Sequence, residues 1–182
     1  MRQLVFWLVL AATLAVYLVM VLWSLPKLAE TAGGLTMFDM RPAGYSFVDA
    51  HEILTALGGS GREFYLGTQQ VLDTVYPPLL AFALALSFVR LFSGKILGAL
   101  VFLALAAAGF DLMENRTVAD MLLAGPDALS AEMVDAASRW TLLKSGAVTV
   151  AMLAFVAGLV RAGWRRYTGK ASRQSSSSSS VR

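Results

Sequence analysis

The sequence predicts an all-α integral membrane protein, a four-span transmembrane helical bundle with a short amphipathic helix in its outward loop, and three observations carry that reading. Of 182 residues, 57% are hydrophobic and only 15% charged, with a mean hydropathy of +0.64, which is too apolar for an ordinary soluble domain. Four apolar runs are long enough to cross a hydrocarbon core of about 30 Å. All twelve acidic residues fall in two stretches, Glu30 to Asp73 and Asp111 to Asp135, whereas Arg2, the Arg90/Lys95 pair and the tail from Arg161 are basic. Basic residues beside short loops stay on the cytoplasmic side. Both termini are therefore expected inside and the acidic stretches outside, in the plasma membrane, which in a bacterium is the inner membrane.

Each element follows from local pattern. Leu4 to Leu25 forms the first span, with Trp7 and Trp23 near its ends where aromatic belts sit. Its length exceeds the apolar core of about 7 to 15 residues in a cleaved signal peptide, and no small-residue cleavage pattern precedes Ala32, so it is expected to be retained. Residues 26–70 form a glycine-rich outward loop with short helices. Ser46 and Asp49 make a capping box for an amphipathic helix that ends at Gly58 and Gly59, and Ser60 with Glu63 makes a second box leading into the next span.

The second span, about 71–92, contains Pro77 and Pro78, which predict a kink near Tyr76. A tight turn joins it to the third, about 96–115, whose helix is expected to project to Leu123 before Gly125 and Pro126 stop it. Gly94 and Gly98, with Ala104, Ala107, Ala108 and Gly109, offer a small-residue packing face. Ser130 caps the fourth span, about 138–162, on which Asp135 and Arg139 stand four residues apart. Residues 1–165 thus make the membrane domain, and 166–182 a basic, Ser-rich tail expected to be disordered.

Composition also excludes function classes. The pI near 9.4 arises from basic residues beside the spans and in the tail, where topology and anionic lipid account for them, so nucleic acid is not an expected partner. With no cysteine, disulfides, thiolate metal sites and disulfide-exchange chemistry are closed. His51 is the one histidine, so no HExxH-type pair exists, and Gly58, Ser60 and Arg62 depart from a G-x-S-x-G loop. No motif names a reaction or a cofactor.

What remains is a cluster of ionisable groups at one depth. At about 1.5 Å per residue, Asp73 lies roughly 25 Å from Arg90, Asp111 roughly 24 Å from Lys95 and Lys144 roughly 25 Å from Arg161, with Glu114 about one turn further out. Such charges are costly inside a bilayer unless paired or facing a cavity, and they point to function by default. The expected site is Asp73, Tyr76, Asp111, Glu114, Asn115, Arg139, Trp140 and Lys144, with Lys144 between Asp73 and Asp111, and Arg116 and Arg139 closing the network. The acidic oxygens suit a hard cation, but Lys144 at the same level argues against a metal. An interhelical ion-pair clamp is the structural alternative. As a site, the cluster would bind a lipid headgroup or amphipathic small molecule. A membrane enzyme with Asp111 or Glu114 as general base and an accessory subunit packed on a membrane-protein partner are the other two classes.

Overall fold

The computed structural model describes residues 2–178, and among them there are helices and turns but no strand. Four helical stretches, Gln3–Thr31, Phe47–Leu91, Gly94–Ala124 and Ala131–Arg165, are long and apolar enough to cross a membrane. Within them run α1 (Arg2–Val19), α2 (Leu25–Thr31), α3 (Phe47–Phe64), α4 (Gln70–Leu91), α5 (Gly94–Ala124) and α6 (Ala131–Ser178). A π-helical turn, Met20–Ser24, joins α1 to α2, and another, Tyr65–Gln69, joins α3 to α4. A short 3₁₀ turn, Phe38–Met40, lies in the connection between α2 and α3.

Capping chemistry sets the boundaries. The Asp49 amide donates to Ser46 Oγ at 3.2 Å and the Ser46 amide returns a bond to Asp49 Oδ2 at 2.9 Å, a complete capping box. Gly58, at φ 60°, breaks the helical backbone where the two glycines predict a stop. The helix resumes at once, and Ser60 makes no cap bond among the described residues. Arg62 anchors this restart instead, its Nε donating to the Gly58 carbonyl at 3.0 Å. Gly125, at φ 71°, ends α5, and the Met133 amide donates to Ser130 Oγ at the start of α6.

Three expectations meet a more detailed structure. First, α4 is assigned helical through Pro77 and Pro78, and a π-helical turn lies upstream at Tyr65–Gln69. Second, a Cβ on Gly94, Gly98 or Gly109 would meet nothing within 4 Å, so the glycines do not form the contact face. Ala104 and Ala107 do, buried against α4 and α6 with Ala81, Leu84, Phe88 and Ala151. Third, α6 continues to Ser178, through much of the segment expected to lack order, because extending a formed helix avoids the nucleation cost. Residues 179–182 lie outside the described ones.

Burial is unevenly distributed. The larger core sits at the acidic end of the bundle, where Leu28, Phe38, Ala50, Ile53, Leu54, Tyr65, Met121 and Ala137 are all fully buried. The 26–70 segment is thus a packed cap rather than a loop with isolated helical pieces. Toward the basic end the helices are bare: only 11% of the most apolar stretch is buried in the first helical segment and in the last. Phe102 and Leu153 are 74% and 65% exposed there. At that end Arg161 donates to the Leu91 carbonyl at 2.7 Å and lies over the Phe92 ring, tying α6 to the end of α4.

Candidate functional site

Lys144 organises a buried ionic group where the cap meets the bundle. Its Nζ contacts Glu114 Oε2, lies 3.4 Å from Asp111 Oδ1 and 3.8 Å from Asp39 Oδ1. The direction of side chains along a helix explains this set. Side chains lean toward the helix N-terminus. In α6 that direction is the acidic end, so Lys144 reaches toward it. In α5, which runs the opposite way, Glu114 leans toward the basic end to meet it. Axial counting alone places Glu114 a turn too far out, whereas the lean closes that turn.

Two of the three carboxylates, Glu114 and Asp39, have a second support. Thr141, one turn before Lys144, donates its hydroxyl to Glu114 Oε1 at 2.5 Å, so both oxygens of this fully buried residue are engaged. The Tyr65 hydroxyl donates to Asp39 Oδ2. Asp39 is missed by sequence reasoning because depth counting applies to helices and Asp39 sits in a turn. The available signal is its position between Phe38 and Met40, in a segment whose Met37 and Phe38 are buried.

Asp73 is not a partner of Lys144. Its Oδ1 accepts from Gln69 Nε2 at 2.8 Å, and no donor among the described residues reaches Oδ2, although the residue is only 4% exposed. The backbone here shows what Asn115 does. Pro77 has no N–H to give the Asp73 carbonyl four residues earlier. Asn115 Nδ2 supplies the missing bond to that carbonyl at 2.6 Å, while Gln70 Nε2 donates to the Asn115 carbonyl at 2.8 Å. Asn115 therefore repairs α4 and does not line the cavity described next, as the sequence reading expected of a ligand contact.

A cavity of about 200 Å³ is walled by Asp39, Asp73, Asp111 and Lys144 on its polar side and by Tyr17, Met20, Val21, Leu25 and Pro77 on its apolar side. Tyr76 also lines it, its ring 5.9 Å from that of Tyr17. Tyr17 and Met40, both lining residues, are 45% and 54% exposed, so the cavity reaches the surface beside them. Next to it lies a second cavity of about 240 Å³, lined by Pro26, Ala29, Leu35 and Met37 and sharing Val21, Leu25 and Met40 with the first. A larger depression of about 760 Å³ on α3 is an open groove whose ionisable groups are His51 and Glu52 only. His51 stacks on Phe47 there, away from Lys144.

The remaining expected site residues stand elsewhere. Arg139 and Arg116 are exposed and form no ion pair among the described residues, and Trp140 packs on Phe110 at 6.0 Å. No group of three or more acidic or histidine side chains among the described residues is disposed to hold a metal ion. In the cap, burial holds the Tyr45 phenol above its ordinary range. The Ser46 hydroxyl and amide, then Arg41, hold the Asp49 carboxyl below its own.

No family model matches the chain, and no similar curated protein or solved structure was found.

Proposed function

We propose that this chain is an integral membrane protein of the plasma membrane, with both termini cytoplasmic and the cap outside, and that it binds an amphipathic small molecule or lipid headgroup in the cavity between α1, α4 and Lys144. Membrane insertion is supported by the contrast in burial. The cap has a dry core of the kind water enforces, whereas the long helices leave Phe102, Leu153 and their neighbours bare, as hydrocarbon permits. Orientation rests on the basic residues at the opposite end.

The single observation that carries the binding reading is a pair of adjoining cavities that share Val21, Leu25 and Met40, of which only the first has ionisable side chains in its wall. A pocket of about 200 Å³ is smaller than the roughly 300 to 1,000 Å³ usual for a whole drug-sized ligand, but it suits a headgroup. The neighbouring apolar cavity suits the chain attached to it. An ion-pair clamp alone accounts for Lys144, Glu114 and Thr141, but it gives no reason for Asp73 to hold a bare oxygen toward open space. The enzyme reading is supported less, since Glu114 is sealed from the cavity by its own partners and Asp111, which does line it, is paired with Lys144 at 3.4 Å. An accessory-subunit reading draws on the exposed Phe47 and Val48 beside the α3 groove, a surface on which a protein partner would seat.

Filling the shared wall tests the proposal. Val21→Trp occupies both cavities without touching the ionic group. In phosphatidylcholine nanodiscs, native mass spectrometry with ten-carbon amphiphiles of each charge type should show wild-type protein retaining one molecule of at least one of them, and Val21→Trp retaining none at unchanged thermal stability. Retention of none by wild type, or equal retention by both proteins, would remove the binding function.

A further inference from the structure

The charge of the cavity narrows its ligand. Asp39, Asp111 and Glu114 converge on one ammonium, Lys144, Asp73 lines the same cavity without pairing with it, and no second cation pairs with any of the four among the described residues. Lys144 already faces three carboxylates, so a phosphate or sulfate approaching it would meet their negative charge. Asp73 is the complementary case: a carboxylate held in orientation by Gln69, nearly enclosed, with one oxygen open to the cavity it lines. The Tyr17 and Tyr76 rings line the same cavity, and aromatic faces attract ammonium groups through the ring quadrupole. An entering anion would meet uncompensated negative charge, whereas an entering amine would supply what the site lacks.

Resting on the amphiphile-binding reading above, we infer that the ligand carries a cationic amine headgroup, held by the open oxygen of Asp73 beside the Tyr17 and Tyr76 rings, with its apolar chain in the adjoining cavity lined by Pro26, Ala29, Leu35 and Met37. A metal ion fits less well, because no metal-holding arrangement of side chains is present among the described residues and an apolar chamber adjoins the site. Asp73 is thereby the specificity residue, while Lys144, Glu114 and Thr141 keep the floor of the pocket rigid.

The test uses the full chain in nanodiscs of phosphatidylcholine alone, which offers no primary amine as competitor. Affinities are measured by isothermal titration for decylammonium, decyl sulfate, decyl glucoside and methylammonium. Decylammonium should bind at least about tenfold more tightly than each of the other three, because a hydrogen bond to a charged group contributes about 1.5 to 3 kcal/mol and a ten-carbon chain adds apolar burial. Asp73→Asn, which keeps the shape, should reduce decylammonium affinity about tenfold and leave decyl glucoside unchanged. Equal binding of the three decyl compounds overturns the cationic preference while leaving the amphiphile reading intact. Binding of none overturns both, and equal binding of methylammonium overturns the role of the apolar chamber. Should Asp73→Asn not fold, the wild-type ligand series decides by itself.

Discussion

Replacing Asn115 by Leu isolates the bond that lets α4 carry a proline beside the cavity. The perturbation removes the amide that donates to the Asp73 carbonyl at 2.6 Å, in a residue only 4% exposed, and leaves that carbonyl with no partner because Pro77 cannot supply one. An unsatisfied buried acceptor costs about 1 to 3 kcal/mol, and the substitution should lower stability by that amount. Pro77→Ala restores the helical N–H to the same carbonyl. In that background Asn115→Leu should cost less, by about 1 kcal/mol or more, a coupling within the range of directly interacting residues. The assay is a double-mutant cycle of equilibrium unfolding in mixed micelles, with circular dichroism as the probe. Equal cost in both backgrounds would refute the repair. Loss of ligand binding without loss of stability would return Asn115 to the binding surface.

Further outcomes follow from the same contacts. Lys144→Met leaves three carboxylates without their cation and should destabilise by about 3 to 5 kcal/mol, and Lys144→Met with Glu114→Gln should be less destabilised than the two losses added; additivity in a thermal-unfolding cycle would break the assigned pair. Asp49→Ala removes the capping box and the Arg41 contact at 2.9 Å, with a cost of about 1 kcal/mol set by the cap, since the ion pair is solvent-screened. Because the folded Asp49 pKa lies below its ordinary 3.8, its contribution is present above that value and fades as pH falls through the lower folded value, so the stabilities of wild type and Asp49→Ala should converge as pH is lowered through that range. For orientation, Val48→Cys should react with an impermeant thiol reagent in intact cells and Lys95→Cys only after permeabilisation; the reverse pattern inverts the protein. Gly44 is unsuited to that experiment, since at φ 80° a Cβ would come within 2.5 Å of Ser138 Oγ.

Apolar periodicity and caps made the helical architecture legible, because both are local signals. The four long apolar helices, the Ser46–Asp49 box and the Gly125 stop are each written within a few consecutive residues. The cap core was not legible, since Leu28, Phe38 and Ile53 come together only when α2, the 38–40 turn and α3 pack, and glycine content reads as a loop. At the site, axial counting recovered the level shared by Asp73, Asp111 and Lys144 but not who faces whom. Depth is set by rise per residue, whereas partnership depends on rotation about the axis and on the lean of side chains along it. That lean gives Lys144 to Glu114 and leaves Asp73 facing the cavity. Because Glu114→Gln breaks the Lys144 contact itself, Asp73→Asn is the cleaner probe of ligand charge.

Photo-crosslinking tests the central claim most directly. A ten-carbon alkylamine with a diazirine in its chain, irradiated with the protein in phosphatidylcholine nanodiscs and followed by peptide mapping, reports where the amphiphile rests. The account predicts adducts concentrated on the walls of the two cavities, at Val21, Leu25, Leu35 and Met40, and their loss in Val21→Trp. Adducts spread evenly over the bare helix faces, at Phe102, Val150 and Leu153, and unchanged by Val21→Trp, would contradict it.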